Sequence, residues 1–109
     1  MSVDRFYTAH GSVQGVMFRQ TLMRGAQSRG LSAAATNEDN GTVSFMLQGT
    51  PDAIDELIAV LEKGQAINSW GARVTRLERI KSGRPFSAYQ VTTQNVDDFR
   101  WNQDIEMYL

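Results

Sequence analysis

The sequence predicts an α+β fold in which two helices pack on one face of an antiparallel sheet. Three observations predict it. Residues 18–29 and 51–63 repeat apolar side chains at helical spacing, and strand-like segments flank and separate them. Turn signals divide the chain at Gly30, Asn40-Gly41, Gly64 and Ser82-Gly83-Arg84-Pro85. The resulting order is β-α-β-β-α-β with a short extra strand, the order of a ferredoxin-like split-βαβ sandwich.

The first strand is read over residues 3–9, where Phe6, Tyr7 and Thr8 favour β structure, and it ends at Gly11. His10 follows it, a lone histidine with no acidic neighbour in sequence and so a structural or solvent-facing residue. The chain then turns through Gly11 and Gly15 and reaches Arg19 as the first helix begins. A helix start directs unpaired backbone N–H groups outward at the positive end of its dipole. With an arginine in the first turn, the stretch from Gly11 to Arg19 becomes a pocket suited to an anion, most naturally a phosphate group.

The first helix carries an inward stripe of Phe18, Leu22 and Ala26, and Gly30 ends it. Gly25 inside it costs up to about 1 kcal/mol relative to alanine. Residues 31–36 pair as a weak strand with residues 42–48 across an Asn-Gly turn. In the second of these strands Val43, Phe45 and Leu47 share one face, and Ser44, Met46 and Gln48 the other. The second helix is capped by Thr50 with Pro51 at its first position. Ile54, Leu57, Ile58 and Leu61 make its buried face, and Gly64 stops it. Its carboxylates complement the helix dipole and are assigned no catalytic role. Residues 72–81 form a fourth strand with a bulge near Thr75-Arg76, and residues 86–92 a short fifth strand at a sheet edge. After Thr93 the composition changes. Acidic residues mix with Phe99, Trp101, Ile105, Met107, Tyr108 and Leu109, too apolar for a disordered tail. The division is therefore a domain over residues 1–93 and a C-terminal extension over 94–109, packed on the domain or on another chain.

Composition narrows the function. The 109 residues fit one domain, which buries roughly 65% of its unfolded surface. The net charge of −1 implies no broad attraction to nucleic acid or membranes. The central strand at residues 42–48 offers only Phe45, without the paired aromatics and basic cluster of a ferredoxin-like RNA-binding module. With no cysteine and one histidine, the chain lacks thiolate chemistry and His-cluster metal sites, so no metal or cofactor is expected. No apolar run is long enough to span a bilayer, and the first residues carry no leader-like apolar segment. A cytoplasmic protein is expected.

The loop Gly11-Ser12-Val13-Gln14-Gly15-Val16-Met17-Phe18-Arg19 resembles the acylphosphatase signature G-x-V-Q-G-V-x-F-R. The similarity extends through Ala26, Gly30-Leu31, Asn37, Gly41-Thr42-Val43 and Gly49. It is strong over residues 11–49 and holds in element order over residues 3–92. The resemblance implies the same ferredoxin-like sandwich and metal-independent hydrolysis of an acyl phosphate to a carboxylate and inorganic phosphate. It assigns Arg19 as the catalytic arginine gripping the phosphate. It makes the backbone N–H groups of Val13, Gln14, Gly15, Val16, Met17 and Phe18 the phosphate cradle, and Asn37 the residue that positions the attacking water. The implied partner is a small-molecule acyl phosphate, with phosphate as product; the oligomeric state is left open. These roles suit phosphoryl transfer, which depends on positioning and charge stabilisation. The leaving carboxylate is a weak base, so no general acid is required.

The chain departs from the family pattern at several positions. Ala33 and Ala35 replace a glycine and a larger apolar residue, and are expected to loosen the strand carrying Asn37. Asn40 stands for the usual aspartate before Gly41, Arg29 for an apolar residue, and Gln65 for the proline after Gly64. The alternative reading is a non-catalytic acylphosphatase-like module that binds an anion or a protein.

Overall fold

The computed structural model describes all residues from 1 to 109. Its elements are β1 (Val3–Ser12), α1 (Phe18–Gln27), β2 (Ser32–Asn37), β3 (Val43–Gly49), α2 (Pro51–Glu62), β4 (Arg73–Ile80) and β5 (Val91–Thr92). Two 3₁₀ turns, Phe86–Ala88 and Val96–Asp98, flank β5. The five strands form one sheet in the order β4-β1-β3-β2-β5, and every neighbouring pair is antiparallel. This is the expected ferredoxin-like α+β sandwich with the extra strand at an edge. No helix is long and apolar enough to cross a membrane.

Alternation along the strands decides which face the helices cover. Tyr7 and Ala9 of β1, Ala33 and Ala35 of β2, and Val43, Phe45 and Leu47 of β3 point to one side. There they pack with Phe18, Leu22 and Ala26 of α1 and Ile54, Leu57 and Leu61 of α2. Tyr7 and Phe45, paired across β1 and β3, stack with ring centroids 5.1 Å apart. The opposite face is partly covered too. Ala34 and Met46 lie beneath Tyr89, with Phe6 and Phe86 packed beside them.

The helix ends follow their sequence signals. Thr50 caps α2, its hydroxyl accepting from the Ala53 N–H at 3.4 Å. After α1, Gly30 takes a φ of 71°, and the Gly30 and Leu31 N–H groups turn back to the carbonyls of Gln27 and Ala26. Regular α1 therefore stops at Gln27, two residues before the predicted end.

Three expectations change. β1 runs on through Ser12, and Gly11 lies inside the strand rather than in the turn. A Cβ there would sit 2.6 Å from the Arg73 carbonyl oxygen, and the backbone is at φ 130°. It faces the predicted bulge: His10 pairs with Arg76 and Gly11 with Val74, leaving Thr75 as the extra residue. The fifth strand shrinks to Val91–Thr92, because the chain after Pro85 coils into a 3₁₀ turn that lays Phe86 and Tyr89 on the open face. The strand carrying Asn37 is not loose. Ala33, Ala34 and Ala35 are fully buried, and β2 is paired on both sides. Ala33 and Ala35 share the main core with Val91 and Val96, and Ala34 packs with Met46 and Tyr89 on the other face.

The C-terminal segment packs on the domain. Tyr108 N–H donates to the Ile67 carbonyl, and the Ser69 N–H to the Glu106 carbonyl at 2.8 Å. Ile105 is buried. The Leu109 side chain lies against Gly25, where a Cβ would approach to 2.8 Å. This contact accounts for a glycine inside a helix.

Candidate active site

Between β1 and α1 the chain makes its turn at Gly15, φ 75°, and Met17, φ 57°. Met17 is the only non-glycine residue with a positive φ, a conformation that persists only where its surroundings enforce it. They do so through the carbonyls. The Met17 carbonyl accepts from both the N–H and the hydroxyl of Thr21, at 3.1 and 2.8 Å. The Val16 carbonyl accepts from Asn68 Nδ2 at 2.9 Å. The Gln14 side chain reaches across to the β2–β3 hairpin and donates to the carbonyls of Glu38 and Thr42, both at 2.8 Å. These bonds hold the loop by its carbonyls and one side chain. The backbone N–H groups of Val13 to Phe18 have no acceptor within the chain. Consecutive free amides at a left-handed turn and a helix start are donors of the kind that anions accept from.

Val13, Gly15, Met17, Phe18, Arg19 and Asn37, with Gln20, line one hollow of about 220 Å³. Arg19 and Asn37, 18 positions apart in sequence, meet here because α1 and its glycine stop return β2 beside the loop. Gln14 and Val16 do not line the hollow with side chains; they brace it as described above. Arg19 is half-buried and has no carboxylate partner, unlike Arg5, Arg24, Arg29, Arg76 and Arg84. Burial pulls its pKa below that of a free arginine, yet a guanidinium stays charged in a protein. It donates instead to the neutral Gln90 Oε1 at 2.7 Å. The same oxygen accepts from the Asn37 backbone N–H at 2.9 Å. The Asn37 Oδ1 atom is buried and has no hydrogen-bond partner. A buried acceptor without a donor costs about 1–3 kcal/mol.

Three further residues shape the site, and none stands out in sequence. Gln90 joins Arg19 to the Asn37 backbone, and its own N–H donates to Thr36 Oγ1 at 2.9 Å. Asn68 is buried with all its side-chain capacity engaged: besides Val16 it donates to Thr21 Oγ1, and it accepts from the Trp70 and Ala72 N–H groups. Glu38, next to Asn37, takes Arg84 on both carboxylate oxygens at 2.8 Å and Ser44 on one at 2.7 Å. Arg84, then Ser44, holds the Glu38 carboxyl below the usual carboxylate range. Arg84 also lies over the Tyr89 ring at 5.8 Å, which fixes the segment leading to Gln90. His10, by contrast, has an acidic partner after all, Glu78 at 2.5 Å, and does not line the hollow.

Comparison with known proteins follows the same line. The Acylphosphatase family model matches residues 5–93. An acylphosphatase of Bordetella avium is 37% identical over 86 residues, covering 77% of this chain and 87% of that protein. One from Alkalilimnicola ehrlichii is 40% identical over 78 residues, covering 72% and 83%. The crystal structure of an acylphosphatase from Bacillus subtilis has the same fold, with a TM-score of 0.61 and 24% identity over 82% of this chain and 92% of that one.

Proposed function

This chain belongs to the acylphosphatase family, and from that premise we propose how its loop, its arginine and its asparagine divide the work. The protein is a hydrolase of acyl phosphates: it splits the carboxyl–phosphate bond and yields a carboxylate and inorganic phosphate. In the proposed mechanism the N–H groups of Val13 to Phe18 and the Arg19 guanidinium take the phosphoryl oxygens. Planar, charged donors suit those oxygens and the charge that shifts among them during transfer. Asn37 Oδ1 accepts a hydrogen bond from one water and aims its oxygen at phosphorus, opposite the bond to be broken. As the water oxygen bonds to phosphorus, the phosphorus–oxygen bond to the acyl group breaks, and its electron pair leaves with the carboxylate. The water proton passes to a phosphate oxygen. No general acid is required, because the departing carboxylate is a weak base.

The observation that carries this reading is that Arg19, without a carboxylate partner, and Asn37, with an unpartnered buried oxygen, line the same hollow as the loop with free amides. The expected results are hydrolysis of benzoyl phosphate, competitive inhibition by inorganic phosphate, and indifference to chelators. Arg19→Gln should lower turnover on the order of 10²–10³ or more. Asn37→Ala should lower turnover with a smaller effect on phosphate affinity. Phosphate binding by well-folded protein without any turnover would favour the non-catalytic module instead. Residues 1–93 carry this reaction in our reading, and residues 94–109 are an addition to it. We retain a cytoplasmic setting, in keeping with a chain that has no cysteine to oxidise; cell fractionation tests it.

A further inference from the structure

The C-terminal segment, which lies beyond the residues matched by the family model, builds a second hollow beside the first. It measures about 720 Å³, and Met17, Gln20, Trp70, Arg100 and Trp101 are among its walls. Met17 and Gln20 line both hollows, so the larger space opens directly off the phosphate loop. The two tryptophans come from segments laced together. Ser69 and Glu106 exchange hydrogen bonds, Tyr108 bonds Ile67, and Asn68 holds both the Trp70 N–H and the Val16 carbonyl of the loop. The hollow is thus fixed to the loop by the same amide that shapes it. Its volume lies in the range of small-molecule sites, and its two tryptophans stand among Gln20, Arg100, Asn102 and Gln103. Arg100 has no ion-pair partner and adds positive charge where a dianionic substrate enters.

We propose that this hollow receives the acyl group, and that the enzyme prefers acyl phosphates with a bulky aromatic or apolar acyl group over acetyl phosphate. The proposal rests on the reading of the smaller hollow as the phosphoryl site. With a phosphoryl group at the loop, the acyl carbon lies next to Met17 and Gln20, and whatever it carries extends between Trp70 and Trp101. A methyl group leaves these rings unused, whereas a phenyl ring meets aromatic faces on its way out.

The test uses two non-hydrolysable phosphonates in which a methylene replaces the bridging oxygen: phenacylphosphonate and acetonylphosphonate. Calorimetric titration of the full chain should give tighter binding of the phenacyl compound by about five- to ten-fold, the scale of aromatic contacts. Trp101→Ala and Trp70→Ala should each bring that ratio to about two or below, while Trp101→Phe keeps most of it. Arg19→Gln should weaken both compounds and leave the ratio in place. A ratio near one in the native protein, or a ratio that survives both alanine variants, overturns the proposal. The underlying reading fails separately, by the absence of any hydrolysis of benzoyl or acetyl phosphate; the phosphonate ratio decides the acyl hollow in either case.

Discussion

Asn68 ties the loop to the segment that carries Trp70. Its amide satisfies four groups, among them the Val16 carbonyl and the Trp70 and Ala72 N–H groups. Replacing it with leucine keeps the volume and strands those partners in a buried place. We expect Asn68→Leu to cost about 1–3 kcal/mol of stability or more and to raise KM along with it, read by denaturant unfolding and steady-state kinetics. Glu38 gives a pH-dependent prediction. Arg84 and Ser44 depress its folded-state pKa, so the clamp contributes fully above the unfolded-state value of about 4.3. That contribution is lost as pH falls through the lower, folded-state value. The Tm of Glu38→Gln should lie below that of the native protein at pH 7, and the gap should close as pH drops below the carboxylate range. A gap that stays constant down to pH 2 would contradict this. Asn68, Glu38 and Gln90 are hidden in the sequence because the bonds that tie them to the loop, to Arg84 and to Arg19 span 46 or more positions. No local pattern distinguishes a buried asparagine in a connection from an ordinary turn residue.

At the scale of elements, the β1–β4 bulge sets the line along which β1 delivers the loop. Gly11 permits it, with a φ of 130° and backbone atoms of Arg73 and Thr75 where a side chain would be. Gly11→Val should destabilise by on the order of 2 kcal/mol or more, measurable by urea unfolding, and should disturb phosphate binding. The bulge is legible in sequence as a break in alternation around Thr75. The glycine opposite it is not, since a glycine before a loop reads equally well as the start of a turn. β2 shows the converse. Three alanines in a row read as a loose strand when their neighbours are unknown, yet Val91 and Val96 from the far end of the chain join Ala33 and Ala35 in the core, and Tyr89 covers Ala34 on the other face. Helices α1 and α2 are legible because caps, periodicity and stop glycines agree.

For the whole molecule, the layer order and the handling of each helix follow from local patterning, and the loop with Arg19 and Asn37 follows from a motif whose parts the fold then gathers into one hollow. The least legible part is the segment from Phe86 to Leu109. Its contacts run to Ala34, Met46, Gly25 and Ile67, each distant in sequence. Composition alone says that it packs, and only the fold says where.

The two-residue strand β5 follows Gln90, whose one side-chain oxygen holds both the Arg19 guanidinium and the Asn37 backbone. A strand so short is the part of a sheet most easily opened by thermal motion, well before the core gives way. The order of the site is therefore set by a local equilibrium of its own, separate from global unfolding. Amides of Val91 and Thr92 should exchange with solvent faster than those of β1 and β3. On heating, turnover should fall several degrees below the Tm seen by circular dichroism, and saturating phosphate, by occupying Arg19, should shift the two curves relative to one another.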